Sequence, residues 1–168
     1  MIREVLLLGL FPAAMCFAAA SDLVSMTISN RLSLLLAAGF FLSAALVGMP
    51  LAQIGWHTAA SFAVLAAAFG LFSAGWIGGG DAKLAAATAL WFGFAHLIDY
   101  LFLASIIGGA MTLLLIQLRS IPLPRALAGT QWIERLHSRG SGVPYGIALA
   151  AAGLFVYPHT VFMRALAG

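Results

Sequence analysis

Residues 84–118 read LAAATALWFGFAHLIDYLFLASIIGGAMTLLLIQL. This run decides the fold, because it is apolar throughout yet too long for one bilayer crossing, which takes about 20 apolar residues. His96 and Asp99 are its only imidazole or charged side chains. The run therefore divides near them, into predicted spans 82–95 and 98–118. Working outward, further apolar stretches at 4–21, 32–49, 58–77 and 143–163 have the length of a span. The expected architecture is all-α: a single domain, 1–168, made of a polytopic membrane bundle of about six helices.

Composition demands the same. The chain is 63% apolar and 8% charged, against roughly 25% charged in soluble domains. So few charges cannot cover a water-facing surface, so the surface faces lipid. The first stretch has a rival reading: Arg3, an apolar core and Ala18-Ala19-Ala20 have the outline of a secretory signal peptide. Glu4 weakens the positive end of that outline, and the later spans make a cleaved signal unnecessary.

The net charge is +3, from 8 basic and 5 acidic residues. In this setting it points to no nucleic acid; where the charges sit matters more than their sum. With the spans above, Arg31, Lys83, Arg119, Arg125, Arg135 and Arg139 fall in loops on one side. Arg3 and Arg164 fall on the other. Loops rich in Lys and Arg stay in the cytoplasm, which places both termini outside and makes 119–142 a cytoplasmic basic loop. Pro122 and Pro124 end the fifth span. Thr130 to His137 is predicted as a short amphipathic helix on the membrane surface, with Trp132 as its interfacial anchor.

Five acidic residues are candidates for chemistry. Glu4 and Glu134 occupy ordinary solvent positions, and Asp99 is read as a cap of the fifth span. Asp22, at the end of the first span, and Asp81, at the start of the fourth, share the cytoplasmic interface. Taken singly, each has a structural reading, as a helix exit and a helix cap. Carboxylates facing a membrane bundle are functional candidates by default, and two on one side strengthen the case.

Asp81 sits in Gly78-Gly79-Gly80-Asp81-Ala82-Lys83. Three glycines allow unusual dihedrals and the close approach of another backbone, such as a peptide to be cut. The phosphate-binding pattern GxxxxGK[ST] is absent. Lys83 is expected to reach for the interface. Two carboxylates can share a proton, one acting as base toward water while the other protonates the carbonyl or the leaving amine. Nucleophilic alternatives lack partners. Cys16, the single cysteine, lies within a span, where it is expected to be buried, and permits neither a disulfide nor a CxxC zinc site. His57 and His159 fall on the outer side, and His137 in the basic loop. A carboxylate-rich metal cluster would need more acidic ligands than this side offers, so no metal and no cofactor is expected.

Gly78-x-Gly80-Asp81 resembles the GxGD motif of intramembrane aspartyl proteases, extended by Ala82-Lys83 as in type IV prepilin peptidases. Asp22 followed by Ile28-x-Asn30 resembles that family's first aspartate motif, and Val143-Pro144-Tyr145-Gly146-Ile147-Ala148 the opening of its last helix. The small single-domain form is similar to the peptidases of Flp (Tad) pili and, more distantly, to archaeal preflagellin peptidases. The resemblance implies a multi-pass protein of the bacterial cytoplasmic membrane that cuts prepilin or pseudopilin leaders at the cytoplasmic face. It also implies Asp22 and Asp81 as the catalytic pair, with Gly78, Gly79, Gly80, Lys83 and Asn30 around them. Larger prepilin peptidases carry a cysteine-rich zinc segment and also N-methylate the new terminus; here the zinc segment is missing, so methylation is not expected. Relatives often place basic residues and a proline between the first Asp and the Asn, where this chain has Val24, Met26, Thr27 and Ser29.

Helix dipoles suggest roles: Asp22 near a helix C-terminus as proton carrier, Asp81 near an N-terminus as base. Two other classes of function would use the aspartates differently. In a small transporter or channel subunit, Asp22 and Asp81 would bind a cation or proton, but transporters often show internal repeats and helices broken near the midplane, and both aspartates lie at an edge. A non-catalytic assembly subunit of a pilus machine would not need both aspartates. Gly108-Gly109 and the many alanines permit tight helix packing, within the chain or between copies.

Overall fold

A computed structural model describes residues 2–124 and 127–167, with only the backbone at 2, 3 and 167. Arg125 therefore lies outside the described residues, as does the side chain of Arg3. The elements run α1 (Ile2–Ser25), α2 (Asn30–Leu46), α3 (Leu51–Ser73), α4 (Gly79–Leu118), α5 (Gln131–His137) and α6 (Tyr145–Val156). A 3-10 turn (Tyr157–His159) and α7 (Val161–Ala167) follow. No strand occurs among the described residues. Among the described residues, three helices are long and apolar enough to cross a membrane: α1 from Glu4, α3 and α4; α2 and the Tyr145–His159 stretch are shorter apolar helices.

The long run is broken, but not where its polar residues stand. The interruption is Gly93, with φ 56 and ψ −173. A straight 40-residue helix would extend about 60 Å. Instead Asp81 and Ala85 line the same cavity as Leu97, Leu101 and Ala104, and the Phe92 and Tyr100 rings lie 5.0 Å apart. The two halves of α4 thus fold against each other about Gly93. Glycine alone takes this backbone readily, and the neighbouring helix fills the space its missing side chain leaves. A Cβ at Gly93 would meet His57 Nε2 at 2.9 Å. A break leaves carbonyls of the preceding turn without their helical partners. His57 Nδ1 donates to one of them, Leu90 O, at 2.8 Å.

His57 is thus buried inside α3, not in an outer loop. α3 begins at Leu51, immediately after Pro50, and not near residue 58: the polar Gln53 and His57 belong to the helix, and the bond to Leu90 O satisfies His57 where it is buried. Asp99 does not cap a helix. It is exposed in the second half of α4, with its Oδ2 3.9 Å from His96 Nδ1. Polar residues at the end of the bundle can face outward without ending a helix.

The buried face of α1 runs Leu7, Phe11, Ala14, Met15, Ala18 and Asp22, a helical stripe of spacings four, three and one. Cys16 falls off this stripe and is exposed, against expectation. Residues 84–93 of α4 are buried on every side, as expected of a helix that is apolar all round. An aromatic cluster locks the end of the bundle remote from Asp22. Phe11 stacks on Tyr157 at 4.4 Å and meets Trp91 at 5.1 Å, while Trp91 meets Phe162 at 5.1 Å. The polar atoms of this cluster are satisfied: Trp91 Nε1 donates to Leu36 O at 3.0 Å and the Tyr157 hydroxyl to Leu7 O at 2.6 Å. Without those acceptors, burying an indole or a phenol in an apolar bundle would be costly.

Candidate active site

The stripe that buries α1 carries Asp22 into the bundle, where it is 4% exposed. α1 runs on to Ser25, so the connection to α2 is only residues 26–29, tighter than the ten residues, 22–31, between the expected spans 4–21 and 32–49. Met26, at φ 51, takes the left-handed conformation that ends the helix; a non-glycine residue rarely adopts it. Asp81 lies in the first turn of α4, with Gly78 as N-cap. It is half-buried, and its carboxylate turns back on Gly78, where a Cβ would lie 3.0 Å from Oδ2.

These two elements meet. Asp22, Met26, Thr27, Ile28, Gly78, Gly79, Gly80 and Asp81 line one cavity of about 240 Å³. The two carboxylates are close enough for the charge of one to act on the other.

The glycines work differently from the expectation. None of the three has positive φ. A Cβ at Gly80 would lie 3.3 Å from the backbone nitrogen of Ile28, and one at Gly79 would lie 3.3 Å from the Phe72 ring. The backbone that approaches Gly80 is therefore the chain's own.

Sequence reasoning missed Gly146. Its amide, in the first turn of α6, donates to Asp22 Oδ2 at 2.7 Å. A Cβ there would meet Asp22 Oδ2 at 2.8 Å and Ile28 Cδ1 at 2.7 Å, so a side chain cannot be added without movement. Val143–Ala148 did stand out in the sequence, but the bond needs α6 set beside α1. It also removes the basis for the dipole assignment. Asp22 leaves the C-terminal end of α1 but is held by the N-terminal end of α6, so both carboxylates face the positive end of a helix.

Around this centre, Lys83 Nζ donates to Asn30 Oδ1 at 2.9 Å, joining the first turns of α2 and α4. The basic loop is tied inward. Arg135 Nη1 reaches Val24 O at 3.1 Å. Arg119 donates to Leu136 O, Ser141 O, Ser141 Oγ and Gly142 O at 2.8–3.1 Å. Its short helix, α5, covers most of the stretch expected to be helical. No cluster of three or more His, Cys, Asp or Glu fit to hold a metal ion occurs among the described residues.

The carboxylate pair, the glycines before Asp81 and the break at Gly93 all fall within residues 9–113, which match the family model of the type IV leader peptidase family. No curated protein and no solved structure matches. The match runs from the first helix into the second half of α4, well over half of the chain, and the apolar helical bundle suits a protease of the membrane. The chain belongs to the type IV leader peptidase family.

Proposed function

We propose that the protein is an aspartic endopeptidase of the bacterial cytoplasmic membrane that removes the leader of Flp-type prepilins at the cytoplasmic face, with Asp22 and Asp81 as the catalytic pair. The bundle crosses the membrane about six times, with both termini outside. The observation that carries this reading is the shared cavity: Asp22 with residues 26–28 of the connection that follows it, and Asp81 with the three glycines before it, line one space of about 240 Å³.

In the mechanism, the pair holds one proton between them. The charged member takes a proton from water as it attacks the scissile carbonyl, and the protonated member gives its own to the carbonyl oxygen; on collapse the member that took the water's proton passes it to the leaving amine, and the other recovers one from the hydroxyl of the tetrahedral intermediate. The roles belong to the pair and not to either residue. Gly146 N–H fixes one oxygen of Asp22, which leaves the other for proton exchange. Lys83 and Asn30 are positioning residues, tying the 26–30 connection to the helix that bears Asp81.

Co-expression with a Flp-type prepilin tests the proposal. The wild-type chain shifts the leader, and Asp22→Asn and Asp81→Asn each abolish the shift at unchanged membrane levels. Cleavage by both variants would sink the assignment.

A further inference from the structure

The short connection between α1 and α2 holds a residue whose backbone conformation disfavours any side chain. Met26, at φ 51, is the one non-glycine residue in the left-handed region among the described residues. It stands just past the end of α1, with its amide on Asp22 O at 2.8 Å, where helices most often place glycine. Glycine would take this turn without steric cost. Side chains held in such conformations cluster at active sites and ligand clamps.

The Met26 side chain stands at such a place. It is half-buried and lines the acid cavity with Thr27, Ile28, the three glycines and the two aspartates. The other walls are committed elsewhere. The glycines bring no side chain. Ile28 is buried and packs between α4 and α6: a Cβ at Gly80 would lie 3.2 Å from its Cβ, and one at Gly146 would lie 2.7 Å from its Cδ1. Thr27 Oγ1 shares a hydrogen bond with Ser25 Oγ at 2.7 Å, and Thr27 O accepts from Ser21 Oγ at 2.9 Å. Met26 lies outside the apolar core and outside the half-buried residues packed against it. Its thioether is the apolar surface that the cavity has to offer.

We propose that Met26 is a specificity-determining residue, whose side chain forms the apolar wall of a subsite for one of the two side chains that flank the scissile bond. The proposal rests on the peptidase reading of the acid cavity and adds to it what that cavity selects.

The chemistry of the wall names the class of side chain. Methionine is unbranched and its sulfur polarisable, so it moulds itself to an apolar neighbour. The carboxylates and the polar backbone of the cavity serve the peptide bond itself. A large apolar side chain laid against Met26 takes its own surface and that of the thioether out of water, and alanine gains far less. Met26 is one helical turn from Asp22, so a side chain that touches it belongs to a residue next to the bond attacked.

The test uses the full-length protein and prepilin substrates in which each flanking position carries either leucine or alanine. The wild type is expected to prefer leucine at one of the two positions about tenfold in kcat/KM. Met26→Gly brings that ratio to about one. Its melting temperature is unchanged or higher, because relief of the left-handed conformation offsets the looser unfolded chain. Met26→Leu keeps the preference. An unchanged ratio in Met26→Gly, an equal loss on both substrates, or a wild type that cleaves without preference overturns the proposal. A second readout does not depend on cleavage. In Asp81→Asn with isotope-labelled methionine methyls, the Met26 resonance, assigned by its loss in Met26→Leu, shifts on adding the leucine substrate and stays in place with alanine. The same response to both, or to neither, overturns the proposal. A selective shift without any wild-type cleavage would support the subsite and count against the peptidase reading.

Discussion

The amide of Gly146 and the carboxylate of Asp22 are hydrogen-bonded at 2.7 Å although 124 positions separate them. The bond sets the end of α1 against the start of α6 and fixes one member of the proposed catalytic pair. A methyl group at Gly146 would collide with both Asp22 Oδ2 and Ile28 Cδ1. Gly146→Ala should therefore lower leader cleavage about a hundredfold, the scale of an ångström-sized misplacement, with membrane insertion retained. Gly9→Ala, with nothing within 4 Å of the new methyl, should cleave normally. Initial rates with purified protein, normalised to membrane level, compare the two.

The break in α4 rests on a reciprocal fit. Gly93 gives the imidazole its room, and the imidazole satisfies Leu90 O. His57→Ala should lower stability by about 1–2 kcal/mol, the upper range for a polar contact between membrane helices. Gly93→Ala should cost more, because it adds a collision with the ring to a positive-φ backbone that costs a side chain about 1–3 kcal/mol of strain. The double variant should cost less than the sum, since removing the ring also removes the collision. Unfolding in mixed micelles gives all three values; strict additivity would refute the reciprocal fit.

The glycines before Asp81 differ in what they face. At Gly80 the neighbour is the Ile28 backbone, which cannot swing away; at Gly79 it is the Phe72 ring, which is 47% exposed and can. Gly80→Ala should therefore impair cleavage strongly, and Gly79→Ala mildly, in the same assay. Equal losses would mean that both glycines face the substrate.

Much of this was legible in the sequence, and the misses share a cause. Asp22 and Asp81 stood out as carboxylates at span ends on one side, because apolar run length is local; that Asp22 continues the buried stripe of Leu7, Phe11, Met15 and Ala18 is what carries it into the bundle. The long run had to divide on length alone. Its dividing point was misplaced at His96 and Asp99 because polarity marks exposure, whereas the break is a matter of backbone geometry, visible only once His57 stands beside Gly93. The three glycines were seen, but what approaches them was not, because Ile28 and Phe72 reach them through the fold. Cys16 was misjudged for the converse reason: in a membrane an apolar position can face lipid, so an apolar neighbourhood does not imply burial.

The pair Gly108 and Gly109 offers the last test, because adjacent glycines make a matched comparison. A Cβ at Gly108 would fall 2.2–2.5 Å from the ring and hydroxyl of Tyr145, whereas one at Gly109 meets nothing within 4 Å. Gly108 is thus a seat for a side chain of the same chain. Tyr145 immediately precedes the residue that holds Asp22, so displacing its ring pulls on the first turn of α6. Gly108→Ala should therefore reduce cleavage and Gly109→Ala should not. Adding Tyr145→Ala to Gly108→Ala should recover part of the loss, since the collision then disappears while the α6 backbone remains free to hold Asp22. If Gly109→Ala proved the more damaging and weakened self-association in detergent, the two glycines would serve contact between copies of the chain instead of the seating of Tyr145.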